Sequence, residues 1–338
     1  MPMKFFLSWK RADMPSLLSG GGLCAAAVVG PTASGKTAFA ILLAQALNAE
    51  IVGCDSMQIY RYMDIGTAKP TAEERAAVPH HMIDFKNPDE EYSAAGYAAD
   101  ALPVCREIAG RGKLPLFCGG TGLYLDAART GRYRPGLASD AGVRQALCEE
   151  AQRRGGEEMY AELASVDPES AAATHPNNLR RVLRALEIFR VSGRPKSEWD
   201  RESLALPPAM DLLTICLLPR DRAALHHRID RRVSEMAEAG LRRETEQLLM
   251  RGYLRDGKTA AQAIGYKEYV RAIDGEITEE EALDEIRYAT HRYARRQLTW
   301  FRAGRDTLFL PIGEEGATPE DAKTALDAIR AHLEKQKK

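Results

Sequence analysis

No two of the six cysteines (24, 54, 105, 118, 148 and 216) stand in a C-x-x-C pair. Their scatter argues against a zinc site and a disulfide framework alike, and it points to a cytoplasmic compartment. No apolar run approaches the ~18 residues of a membrane span. At the N-terminus a basic pair follows only a few apolar residues, too few for the core of a signal peptide. Residues 1–21 therefore read as a loose extension, with Met14 as an alternative start. Charge of one sign is also missing. The net value is −1, so any nucleic-acid partner must be held by local basic faces and not by a global field. What remains is a 338-residue chain of ordinary globular composition, long enough for one large or two modest domains.

The most specific stretch is Gly30-Pro31-Thr32-Ala33-Ser34-Gly35-Lys36-Thr37, a G-x-x-x-x-G-K-[ST] loop without mismatch. Cys24 to Val29 before it reads as a buried strand, and Thr37 to Leu47 after it as a helix. Glycines at 30 and 35 let backbone N–H groups approach phosphate beside the positive end of that helix. Lys36 adds a mobile positive charge, and Thr37 a hydroxyl for Mg²⁺. The loop implies a polyphosphate with Mg²⁺, without saying which polyphosphate or what becomes of it.

A second strand is predicted from Glu50 and ends in Asp55, Ser56 and Gln58. In doubly wound sheets ligands bind outside the carboxyl ends of the strands, so Asp55 should lie near the phosphate loop. There it could act on Mg²⁺ indirectly, serve as a general base, or merely cap a helix. Asp64 to Pro70 reads as a turn-rich loop, and Pro79 to Asp84 as a short third strand whose paired histidines favour a structural role over a metal site, since adjacent side chains diverge on a strand. A helix from Tyr92 to Arg111 feeds a fourth strand, Leu114 to Cys118, which runs into Gly119-Gly-Thr-Gly. Thr121 is a candidate hydroxyl donor there, unless the glycines form only a turn.

From about Ser139 to Pro208 strand-like runs disappear, and 143–154, 157–165 and 179–191 read as helices. A wholly helical block between β/α units is an insertion. Arg180, Arg181 and Arg184 make a basic patch on its Asn-capped helix. The sheet resumes at Leu212 to Leu218, followed by a helix from about Asp221 to Gly240 bearing Arg222, Arg228, Arg231 and Arg232. Gln262 to Lys267 places Gly265 and Lys267 where a bound strand could approach. From Ile286 to Arg305 there are six arginines and no acid. Helical spacing points Ile286, Ala289, Tyr293 and Trp300 inward and leaves Arg287, Arg292, Arg295, Arg296 and Arg302 outward, a surface suited to RNA. A last strand at 307–310 and a terminal helix within 314–338 close the chain. The expected fold is α/β, with a core of 22–138 and 211–313 and a helical insertion at 139–210.

Taken in order, these stretches resemble the tRNA dimethylallyltransferase (tRNA isopentenyltransferase) family of bacterial type. The segments are Gly30 to Thr37, Asp55 to Arg61 through Asp64 to Pro70, Gly119 to Tyr124, Arg184 to Glu187, Gln262 to Lys267 and Arg296 to Arg302. The resemblance implies a P-loop NTPase-like parallel sheet in which the loop holds dimethylallyl pyrophosphate instead of ATP. By the same matching, Lys36, Mg²⁺ on Thr37, and Arg228 would neutralise the departing pyrophosphate. Asp55 would take a proton from an adenine N6 amino group, and Thr121 would position that amine. Asp55, Ser56, Met57, Gln58, Thr121, Arg144, Arg180, Arg181, Arg184, Gln262, Gly265, Lys267, Arg295, Arg296, Gln297, Trp300 and Arg302 would meet the tRNA anticodon stem-loop. A monomer is expected.

Two other readings use the same loop. A nucleoside or small-molecule kinase would take ATP but would not need the arginine-aromatic helix. A nucleotide-dependent RNA-binding switch would do no chemistry, and its GTPase version wants an Asn-Lys-x-Asp that the chain lacks.

Overall fold

The computed structural model describes residues 22–131, 140–255, 258–304 and 307–335. The expected N-terminal extension, the start of the insertion at Ser139, Arg305 and the last three residues lie outside them. The chain divides into two compact units, residues 130–208 and the rest. Among the described residues no helix is long and apolar enough to cross a membrane.

The larger unit is built on six parallel strands, β1 (Cys24–Val29), β2 (Ala49–Gly53), β3 (His80–His81), β4 (Leu114–Gly119), β5 (Asp211–Pro219) and β6 (Thr307–Ile312). Their spatial order is β3-β2-β4-β1-β5-β6. β1 lies at the centre, with Ala26 opposite both Leu116 and Leu213. All six of its residues are buried, which is why it reads as an unbroken apolar run. Before the insertion come α1 (Lys36–Leu47), α2 (Ala72–Ala77), α3 (Ala94–Gly110) and α4 (Gly122–Thr130). The insertion holds α5 (Ala141–Arg154), α6 (Gly156–Val166), α7 (Pro168–Ala172), α8 (Leu179–Ser192) and α9 (Lys196–Ala205). After it follow α10 (Arg222–Glu238), α11 (Leu241–Met250), α12 (Tyr266–Ile273), α13 (Glu279–Arg302) and α14 (Pro319–Lys335).

Successive β1 side chains serve opposite faces, as strand geometry requires. Cys24, Ala26 and Val28 pack with Phe39, Leu43 and Leu47 of α1 and with Ile329 and Leu333 of α14. Ala25, Ala27 and Val29 pack with Tyr97 and Cys105 of α3, Leu125 of α4 and Phe301 of α13. Each such large apolar side chain contributes about 1.5–3 kcal/mol on burial. The terminal helix is thus part of the sheet core and not an appendage.

Three local departures from the sequence reading have physical causes. The third strand stops at His81 because Met82 and Asp84 adopt φ of 60° and 57°, which no strand can carry. Asp84 is held in that turn by ion pairs to Lys69 and Arg75. The arginine helix begins at Glu279, seven residues before Ile286, where Thr278 forms a capping box with Glu281. Helices α2, α11 and α12 lie outside the sequence reading, α2 because its six residues are too few to show a period.

On β2, next to the edge strand β3, Glu50 is 3% exposed and receives Arg111, Lys113 and His81. Burial alone would raise its pKa, but those three hydrogen bonds bring it down to about 2 from 4.5. The carboxylate therefore stabilises the fold fully above pH 4.5, and the contribution is lost as pH falls towards 2. In urea titrations the gap between wild type and Glu50→Gln should narrow across that window. A constant gap would show that the cluster is not pH-linked.

The smaller unit packs Leu147, Met159, Leu163, Val182 and Leu186 into one core. Asp167, 1% exposed, accepts N–H groups of Ser170 and Ser197 at 3.0 Å each, joining α7 to α9. Asn178 caps α8 as its position suggests. Glu187, also buried, pairs with Arg144 at 3.0 Å and Arg184 at 2.8 Å. Those two arginines, read from sequence as tRNA contacts, are engaged by an internal carboxylate. Arg180 and Arg181 remain exposed on α8.

Candidate active site

The phosphate loop leaves the end of β1 at Gly30, where a Cβ would lie 2.9 Å from the Leu217 carbonyl oxygen. It enters α1 at Gly35, whose φ of 80° suits glycine. Thr32 N–H donates to Gln297 Oε1 at 2.8 Å, and Lys36 Nζ folds back onto the Pro31 carbonyl at 3.3 Å. Pro31 and Ala33 are buried, and the buried Ser34 Oγ finds no partner among the described residues. Burial pushes the Lys36 pKa down, Arg232 adds to that, and Asp55 opposes it.

Beyond β2, Asp55 Oδ1 accepts the Met57 N–H at 2.9 Å. That contact closes a turn, no helix begins there, and the carboxylate also lines the cavity described below. Ser56 N–H donates to Thr121 Oγ1 at 3.0 Å, so the ends of β2 and β4 are tied through the two polar residues singled out from sequence. The glycines around Thr121 are packing devices. A Cβ on Gly119 would lie 2.0 Å from the Cys54 carbonyl oxygen, one on Gly120 2.0 Å from Gln297 Nε2, and one on Gly122 2.3 Å from the Trp300 ring.

α13 turns differently from the predicted helix face. Gln297, taken as a tRNA contact, is 4% exposed and bridges Thr32 to the Gly120 carbonyl, its Nε2 donating at 2.9 Å. Trp300, taken both as inward-facing and as a tRNA contact, is 41% exposed and donates its indole N–H to Asp126 at 3.1 Å. Phe301 occupies the core place instead. Tyr293 reaches the cavity beside Thr121, its hydroxyl pKa raised by burial and by Asp55. Arg295, Arg296 and Arg302 are exposed, and Arg296 lies over the Tyr293 ring at 5.7 Å.

α10 supplies another wall. An Arg228 Nη2 stands 3.4 Å from where a Gly35 Cβ would be, whereas Arg222 is exposed and turned to His226 at 3.5 Å. One turn on from Arg228, Arg232 lines the cavity with Ile229, Val233 and Met236. Burial lowers its pKa and Asp55 raises it. Arg232 was not singled out from sequence, although its i, i+4 spacing from Arg228 was a usable signal.

The Asp64 to Pro70 loop owes its shape to Glu244 on α11. That carboxylate accepts the N–H groups of Asp64, Ile65 and Gly66 at 2.9 to 3.2 Å and the Tyr266 hydroxyl at 2.6 Å. Gln58, expected at the RNA, donates instead to the Thr67 and Ala68 carbonyls at 3.0 and 3.1 Å. Gln262 and Lys267 are exposed, and Gly265 faces the cavity with a φ of 99°.

Among these elements lies a cavity of about 520 Å³. Lys36, Thr37, Arg232, Asp55, Tyr293 and Arg296 are among its lining residues. For a metal, no group of three His, Cys, Asp or Glu side chains gathers among the described residues. The donors at hand are the oxygens of Thr37 and Asp55, which suit a hydrated Mg²⁺ carried largely by a ligand's phosphates. A protein-caged ion does not fit.

The family model described as IPP transferase matches residues 58–304, and the one described as isopentenyl transferase matches residues 24–87. The chain belongs to the tRNA dimethylallyltransferase family. It is 48% identical to the tRNA dimethylallyltransferase of Roseiflexus sp. (strain RS-1) over 84% of this chain and 92% of that protein. The tRNA dimethylallyltransferase of Halalkalibacterium halodurans is 46% identical over 82% of this chain and 87% of its own length. Among solved structures, the full-length tRNA isopentenylpyrophosphate transferase of Bacillus halodurans aligns with a TM-score of 0.69 at 41% identity, covering 93% of this chain and 98% of that one. A eukaryotic dimethylallyltransferase described as acting on tRNA aligns with a TM-score of 0.73 at 28% identity, over 91% and 77%. As a tRNA dimethylallyltransferase family member, the chain has the P-loop-like parallel sheet its sequence predicts.

Proposed function

We propose that the cavity transfers a dimethylallyl group from dimethylallyl pyrophosphate to N6 of the adenosine 3′-adjacent to a tRNA anticodon. The observation that carries this reading is the convergence of the phosphate loop, Asp55 and the end of β4 on one cavity with an apolar wall, with Thr121 bound to the cavity-lining Ser56. A kinase needs the loop but not the apolar wall beside it.

The diphosphate sits at the loop, held by backbone N–H groups, Lys36 and Arg228, with Arg232 close behind. The five-carbon chain lies against Ile229, Val233 and Met236. Thr37, together with the ligand's phosphates, would hold Mg²⁺, which would supply charge neutralisation of the leaving group. The adenosine leaves its stack to enter, because a paired or stacked base cannot present N6 at depth. Asp55 accepts the N6 proton as the nitrogen forms its bond to the allylic C1 and the C1–O bond breaks, releasing pyrophosphate. Thr121, itself fixed by the Ser56 N–H, orients the amine. Arg295, Arg296 and Arg302 on α13, with Arg180 and Arg181 on the insertion, hold the RNA backbone.

A ligand-dependent unfolding experiment discriminates the donors. Dimethylallyl pyrophosphate with Mg²⁺ at 100-fold over its Kd should stabilise the protein by about 2.7 kcal/mol, and Arg228→Ala should weaken that effect. Stabilisation by ATP alone, with phosphoryl transfer to a nucleoside, would instead establish the kinase.

A further inference from the structure

Tyr288, Arg292 and Arg296 are spaced i, i+4 and i+8 along α13 and so share one face, about 12 Å from end to end. Arg296 lines the reaction cavity. The other two line a separate depression of about 590 Å³ with Gln262, Lys267, Arg271 and Glu285. Gln262 borders both spaces, so the depression adjoins the cavity.

The side chains there are not equally available. Arg271 is engaged by Glu276 and Glu285 at 3.3 and 2.6 Å, and Lys267 stands 3.6 Å from Glu268. Arg292 makes no ion pair with a described residue. Tyr288 is 72% exposed, and its ring takes no stacking partner among the described residues. A single exposed tyrosine means little. An unstacked ring one turn from an unpaired guanidinium, in a concavity beside the reaction site, matches what single-stranded RNA requires. A base can take the ring and its phosphate the cation.

We propose that this depression is a subsite for the base of a loop nucleotide neighbouring the extruded adenosine. That base stacks on Tyr288 while Arg292 meets the adjoining phosphate. The proposal rests on tRNA being the substrate, and it adds a second point of grip that keeps the strand from following the adenosine into the cavity.

The test uses the full chain with an unmodified anticodon stem-loop and a set of stem-loops made abasic at each position flanking the target adenosine. Tyr288→Ala should raise KM for the stem-loop about tenfold, in the range of one lost base stack. Its kcat and its KM for dimethylallyl pyrophosphate should stay within about twofold, and Tyr288→Phe should restore the wild-type value. One abasic position should raise the wild-type KM to the Tyr288→Ala level without raising it further in the variant. An unchanged KM in Tyr288→Ala, or abasic penalties that add to it at every position, would overturn the subsite. If tRNA is not the substrate at all, the wild type will fail to modify any stem-loop, and that outcome is distinct from both.

Discussion

Asp55→Ala should lower kcat by about 10²–10⁴-fold, the contribution of a positioned general base, while tRNA affinity changes by no more than about twofold. One carboxylate oxygen already accepts the Met57 N–H, so alanine also removes a turn contact. Asp55→Asn separates the two roles. Its amide oxygen can still accept from Met57 but cannot take a proton from N6. Loss of kcat in both variants, read by single-turnover kinetics with saturating tRNA, supports the base. Recovery of activity in Asp55→Asn would reduce Asp55 to a turn-former.

The largest effect on stability should come from Glu244. No motif marks it, yet its two oxygens receive three backbone N–H groups of the Asp64 to Pro70 loop and the Tyr266 hydroxyl. Glu244→Ala strands these donors in a partly buried setting, and about 2–4 kcal/mol of stability should be lost. The loop is also a wall of the cavity, through Gly66, Thr67 and Ala68. Hydrogen exchange should therefore show the Ile65 and Gly66 amides losing protection, together with a higher KM for dimethylallyl pyrophosphate. Amides as protected as in the wild type would mean that another acceptor holds the loop.

These residues mark the border between what local pattern reveals and what tertiary contact decides. The strands around the phosphate loop were legible because a strand buried on both faces must be apolar throughout, and the loop's glycines have one spacing. The placement of Asp55 and Thr121 just beyond the ends of β2 and β4 was legible from the apolar runs that precede them. Glu244 was hidden, standing 178 to 180 residues from the amides it holds. Gln297 was hidden twice. It lies 265 residues from Thr32, and its polarity disguised a buried position on α13. The predicted inward face therefore slid by one residue at its end, taking Trp300 in place of Phe301. The same slip placed Tyr293 in the core, although it stands against Thr121 at the cavity. The Asp64 to Pro70 stretch, read as a turn-rich loop, and the Gly-Gly-Thr-Gly motif, read as carrying a hydroxyl donor, include much that is packing. Gly66 leaves room for the Tyr266 ring, just as Gly119 leaves room for the Cys54 backbone.

The most direct measurement is transfer itself. The protein is incubated with carbon-labelled dimethylallyl pyrophosphate, Mg²⁺ and unmodified tRNA, and the RNA is digested to nucleosides. The proposed chemistry predicts label on N6 of the adenosine 3′ to the anticodon, with one pyrophosphate released for each group transferred. RNA without label, from protein that binds the diphosphate, would contradict it.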